Sequence, residues 1–179
     1  MTVSSEPWRH PNPQRSALSL TQIPTSIFHS LASGTIIPEE TCRLTPYLIG
    51  PECAGLWRMR SEQLTDAPDD APWVTRFVLA PGETAPVGLA GFHGRPDANG
   101  MVEVGYRIDP DHRRKGYARQ SLEILLAIAQ ADADVKVVRA TISPENVASR
   151  ALVAGYGFRE TGEQWDEEDG LELILEVTA

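Results

Sequence analysis

The sequence predicts an α/β or α+β domain in which helices cover a central sheet, and three observations carry that prediction. Short runs between Val74 and Ile108 alternate apolar with polar residues, and the apolar period then lengthens to that of a helix between Gly116 and Ala131. A strand, a helix and a hairpin follow in turn to the C-terminus, an order expected of a sheet with helices packed on it. No internal repeat or interdomain linker breaks the order, and 179 residues is near the size of one domain. The expected organisation is an N-terminal arm over residues 1–20 and a single domain over 21–179.

Taken in order, the first twenty residues are rich in Pro, Ser and polar residues without sustained periodicity, as in an arm or poorly ordered tail. Two short helices are predicted next, Pro24 to Ser33, closed by Gly34, and Pro51 to Leu64, with Cys53, Leu56 and Trp57 on one face. Proline at the first helical position suits both starts. Strands are predicted over Val74 to Ala80 and Val87 to His93, joined at Pro81-Gly82, and over Met101 to Ile108. In the last of these Val102, Val104, Tyr106 and Ile108 alternate with Glu103, Gly105 and Arg107, which puts Glu103 on the less apolar face. Ala118, Leu122, Leu125, Leu126 and Ala129 form one helical stripe. The run Val135 to Ile142 reads as a central strand, Asn146 to Ala154 as a helix, and Arg159 to Trp165 with Leu171 to Val177 as the closing hairpin.

Composition narrows the function. A formal charge of −9 argues against a nucleic-acid partner, which needs a basic surface, and favours cationic substrates such as amines. No apolar run approaches membrane-spanning length, and Met1 to Arg15 lacks the apolar core of a secretory signal, so no membrane association and a cytoplasmic location are expected. Cys42 and Cys53 match neither a redox pair nor a zinc site and read as reduced thiols; no metal cluster is visible and no metal is expected.

The chemistry is expected at Arg113-Arg114-Lys115-Gly116-Tyr117-Ala118, where a strand has ended and a helix begins. Free N–H groups and the helix dipole converge there on an anion. Gly116 permits close approach to a phosphate, Ala118 keeps the first turn slim, and three cations stand out in an acidic chain. Neither GxxxxGK[ST] nor GxGxxG is present, so the loop is not one for a nucleoside triphosphate or a dinucleotide. A diphosphate fits.

Arg113-x-x-Gly116-x-Ala118 resembles the acetyl-CoA signature of the GNAT N-acetyltransferase family. Glu103-Val104-Gly105-Tyr106-Arg107-Ile108-Asp109-Pro110 is similar to that family's fourth strand, and Asn146 to Leu152, followed by Gly157-Phe158, to its later helix. Within the family the Glu-x-Gly-Tyr and Asn-x-x-Ser patterns resemble enzymes that acetylate the N-terminal amine of ribosomal proteins. The resemblance implies a mixed, mostly antiparallel sheet splayed between the family's fourth and fifth strands. It also implies acetyl-CoA as cosubstrate, held by Ile108, Arg113, Arg114, Lys115, Gly116, Tyr117, Ala118, Arg119, Asn146 and Ser149.

The implied reaction is direct attack of a primary amine, on a protein N-terminus or a small molecule, on the acetyl-CoA thioester; no Cys or Ser with a neighbouring base suggests a covalent intermediate. An alkyl ammonium with a pKa near ~10 must lose a proton first. Glu103, a carboxylate on a strand otherwise built for burial, is the expected base, the alternative being a solvated or Arg-paired carboxylate. The resemblance implies that a backbone N–H near Arg107 or Ile108 meets the developing oxyanion. Asn146 reads equally as a helix N-cap. His93 and Trp57 are candidate acceptor-pocket residues, with structural roles as the alternative for both, and the same holds for Trp73. The acidic stretch Asp166 to Asp169 is either a lure for cations or a solvated hairpin tip. Many family members carry a general-acid Tyr where this chain has Val153, and Tyr156 is expected to point elsewhere, so no acid is assigned. That gap sustains an alternative, a CoA-binding sensor or interaction module without turnover. A homodimer is an admissible assembly.

Overall fold

The computed structural model describes residues 5–35, 43–167 and 170–179. Along the chain come β1 (Trp8–Arg9), β2 (Ser19–Gln22), α1 (Thr25–Ala32), α2 (Pro46–Ile49) and α3 (Pro51–Asp66). Then follow β3 (Arg76–Leu79), β4 (Gly88–Phe92), β5 (Met101–Ile108), α4 (Tyr117–Ala131), β6 (Val137–Ile142), α5 (Val147–Ala154), β7 (Arg159–Asp166) and β8 (Gly170–Thr178). The strands form one mixed sheet in the order β1-β2-β3-β4-β5-β6-β8-β7. Only the β5–β6 pair is parallel, and α4 supplies the crossover that a parallel pair requires.

Period-2 alternation sorts the sheet's side chains onto two cores. Phe77 and Leu89 join Ile27 and Phe28 of α1 and Cys53, Trp57 and Leu64 of α3 on one face. Val78, Ala90, Val102 and Val104 meet Leu122 and Leu125 of α4 on the other. The even-numbered residues of β5 therefore belong to the α4 face, and Glu103, Gly105 and Arg107 to the α3 face.

The strand that resembles the family's fourth is β5 here, because β1 adds a short pairing at the sheet edge. β5 stays on β4 as far as Ile108, yet pairs with β6 only from Met101 to Glu103. From Val104 onward the two middle strands diverge, which is the expected splay.

Within the stretch read from sequence as an arm, β1 and β2 pair with each other, and Trp8, Leu18 and Leu20 are buried. The anchor is Arg76, buried on β3. Its guanidinium lies 3.6 Å from the Trp8 ring centroid and donates to the carbonyls of Glu6 at 3.0 Å and Pro72 at 2.7 Å. Burial lowers that guanidinium to about 10. A strand pair this short leaves no period to read in the sequence. Trp8→Ala is expected to destabilise the protein by about 3 kcal/mol or more, seen as a lower urea midpoint with an unchanged slope.

Cys53 is fully buried, as a small apolar side chain would be. Cys42, and Glu168 and Asp169 of the acidic hairpin turn, lie outside the described residues. No described helix is long and apolar enough to cross a membrane.

Candidate active site

After β5 the chain makes a 3-10 turn over Pro110–His112, capped by the Asp109 carboxylate, which accepts from the Asp111 amide at 3.0 Å. Arg113 then folds back, its Nε donating to the Ile108 carbonyl at 3.1 Å. Arg114 and Gly116 take left-handed conformations, φ +62° and +79°, and α4 begins without a side-chain cap. The consequence is electrostatic. Among the described residues the amides of residues 114–119 have no acceptor, so the N-terminus of α4 presents a cluster of free donors. Lys115 Nζ stands 3.5 Å from Glu83, and a 330 Å³ depression beside the loop is lined by Arg15, Gly116, Arg119, Gln120 and Glu123. Tyr117 and Ala118 pack partly against the core.

The splay supplies the second component. Bonds from the His93 amide to the Glu103 carbonyl at 2.8 Å and from the Asp109 amide to the Val87 carbonyl at 3.0 Å fix the ladder phase. Odd-numbered residues of β5 therefore pair with β4, and the peptide groups of Val104, Tyr106 and Ile108 point toward the gap. Of the two expected oxyanion donors, Ile108 faces the gap and Arg107 does not. Arg107 instead ties its side chain to the Glu52 carbonyl at the start of α3. The Tyr106 phenol oxygen is buried and makes no hydrogen bond of normal geometry among the described residues. Burial raises this phenol above its ordinary value, and the nearby Ser149 hydroxyl, close enough to act on it but outside bonding geometry, draws it partly back. Asn146 is the N-cap of α5, its side chain accepting from the Ser149 amide at 3.1 Å. Free amides and an orphaned phenol along one gap suit a long ligand with an anionic end.

The third component stands on the α3 face. Glu103 Oε1 accepts from the Thr141 hydroxyl of β6 and lies 3.3 Å from His93 Nδ1. The His93 carbonyl is gripped by Arg60 Nη1 at 3.1 Å and by Gln63 Nε2 at 2.7 Å, and Gln63 also donates to Asp70 at 2.8 Å. Burial lowers the Arg60 guanidinium to about 10, against the pull of Glu103 and Asp70. Burial also holds the His93 imidazole below its ordinary value; Glu103 opposes that shift and Arg60 adds to it. Gly105 makes room for the ring, since a Cβ there would lie 2.8 Å from His93 Nε2.

Two sequence expectations need revision and several residues were not anticipated. Trp57 does not line a pocket: it is 1% exposed, packs on Phe28, and spends its indole N–H on the Leu48 carbonyl at 2.7 Å. Trp73 is likewise core, edge-on to Phe92. Tyr156 turns to α4 as expected, donating to Glu123 at 2.6 Å, with its phenol pushed up to about 12 chiefly by burial. Thr141, Arg60 and Tyr106 were missed. Arg60 had a signal, because it falls in register with Cys53, Trp57 and Leu64 on the buried stripe of α3.

This fold, with its splayed middle strands and amide-lined loop, defines a class. Residues 40–159 match the acetyltransferase (GNAT) domain family, and the chain belongs to it. It is similar to the uncharacterized N-acetyltransferase YjdG of Bacillus subtilis, 36% identical over 40% of this chain and 43% of that one. It is also similar to the L-2,4-diaminobutyric acid acetyltransferase of Streptomyces anulatus, 32% identical over 59% of this chain and 66% of the relative. The alignments thus span less than two thirds of either relative's length. Among solved structures the ribosomal-protein-S5-alanine acetyltransferase of Vibrio fischeri shares the fold, with TM-score 0.63, 16% identity, and 91% and 93% of the two chains covered.

Proposed function

We propose that this protein transfers an acetyl group from acetyl-CoA to a primary amine, on a protein N-terminus or a small molecule, by direct attack. The observation that carries the reading is the placement of two chemically different devices at opposite ends of β5. The free amides of residues 114–119 follow its C-terminal end, and the Glu103–His93 pair stands near its start.

In this reading the loop amides and the α4 dipole hold the diphosphate of the cosubstrate, whose thioester supplies the activated acetyl group. The Ile108 or Tyr106 amide, turned into the gap, faces the developing oxyanion. Ser149 and the Tyr106 phenol border the same gap and suit its polar arm. The carboxylate of Glu103, with the imidazole against it, supplies the basic function that an incoming ammonium requires. Cytoplasmic work and a cationic acceptor accord with the acidic chain.

The test is incubation of purified protein with acetyl-CoA and a panel of amines, including peptides with free N-termini, following thiol release. Amine-dependent release is expected. Binding of CoA without release across the panel would favour the sensor, and absence of any calorimetric binding of acetyl-CoA or CoA would end the reading.

A further inference from the structure

We propose that His93 Nε2, rather than a Glu103 oxygen, receives the amine proton, and that Glu103 orients the imidazole and balances its charge. The inference rests on the acetyl-transfer reading and names the atom that performs its proton transfer.

Four observations carry it. First, Nδ1 lies 3.3 Å from Glu103 Oε1, and because an ionised carboxylate can only accept, this neighbour favours the tautomer with the proton on Nδ1 and the lone pair on Nε2. Second, Oε1 also accepts from the Thr141 hydroxyl, which anchors the carboxylate edge that faces the ring. Third, the ring lies over Gly105, two residues along β5 from Glu103 and inside the stretch that has left β6. Nε2 is thereby carried toward the loop end of the strand, where the acetyl-transfer reading seats the cosubstrate. Fourth, the His93 side chain is 45% exposed and that of Glu103 only 19%, so an arriving amine meets the imidazole first.

The main chain that carries the ring is also fixed. The His93 amide donates to the Glu103 carbonyl at 2.8 Å, while its own carbonyl is held by Arg60 and Gln63. Charged and titratable groups around it are Glu103 of β5, Arg60 of α3, Asp70 behind Gln63, and Arg139 of β6, which is paired with Glu176 at 2.7 Å. Burial, opposed by Glu103 and reinforced by Arg60, holds the imidazole below its ordinary value and so neutral near pH 7. The ammonium first gives up one proton to solvent; as the lone pair of the resulting neutral amine forms the C–N bond to the thioester carbonyl carbon, Nε2 accepts the next N–H proton while the Nδ1 proton stays turned toward Glu103. When the C–S electron pair leaves with sulfur, Nε2 returns the proton to it, giving amide and thiol.

The experiment pairs nitrogen NMR of histidine-labelled protein with pH–rate profiles for wild type, Glu103→Gln, His93→Gln and His93→Asn. Wild type is expected to show the Nδ1–H tautomer, and the acid limb of kcat/KM is expected to coincide with the His93 titration. Because the Glu103 carboxylate raises the imidazole's pKa, Glu103→Gln should move both to lower pH together. Each His93 variant should lower kcat/KM about 100-fold or more while leaving CoA affinity unchanged. An Nε2–H tautomer, an acid limb that disappears in Glu103→Gln while the ring still titrates, or a folded His93 variant of wild-type rate would overturn the assignment. If wild type itself releases no thiol with any amine, the acetyl-transfer reading has failed instead.

Discussion

Gly116→Val is expected to weaken CoA binding at least tenfold, while leaving the fold intact. The residue sits at φ +79°, where an L side chain costs about 1–2 kcal/mol and a β-branched one is the least tolerated. A Cβ at this position has ample room, with Gln120 Nε2 as its nearest neighbour at 3.7 Å, so packing of the free protein is little disturbed. The obstruction arises only when an anion approaches the amides of residues 114–119, because the valine methyls then stand at their mouth. That obstruction falls on the bound state alone, and it need supply only the ~1.4 kcal/mol that a factor of ten requires. Calorimetric titration with CoA reads the effect. Gly116→Ala, which carries the strain but less bulk, should fall between, and an unchanged dissociation constant for the valine variant would show that the loop does not hold the ligand.

Gly105→Val is expected to act at the other end of β5, lowering kcat/KM about 100-fold with CoA affinity unchanged. Added atoms at this position start 2.8 Å from His93 Nε2, closer than van der Waals contact allows. Backbone bonds hold the His93 main chain, so the ring, rather than the strand, must turn away from Glu103. The His93 titration should then lose the upward pull of the carboxylate. Steady-state kinetics and the histidine NMR signal check this together; full activity with an undisturbed signal would mean that the imidazole's station over Gly105 is irrelevant to turnover.

The legible parts of this protein were those written in local periods. β5 was predicted over Met101 to Ile108 and forms there, and the helix expected between Gly116 and about Ala131 is α4. β3 is shorter than expected, because Val74 and Thr75 lead into the strand without joining its ladder. The loop was readable because a helix start with a left-handed glycine and uncapped amides needs only a few adjacent residues. Glu103 was readable because a carboxylate breaks an apolar strand. Trp57 was misplaced since a tryptophan on an amphipathic helix looks the same whether it faces a core or a cleft; only its buried indole bond to Leu48 separates the two.

By itself the sequence determined the order of elements from β3 onward, the turn into a helix at Gly116 and the carboxylate at residue 103, because each depends on contacts within a few residues. The tertiary structure alone decided that His93 of one strand end, Thr141 of β6 and Arg60 of α3 converge on Glu103. It also decided that Trp8 closes the sheet edge under Arg76. Those partners are separated by tens of residues, and what joins them is strand register and helix packing, which arise only when the whole sheet has formed.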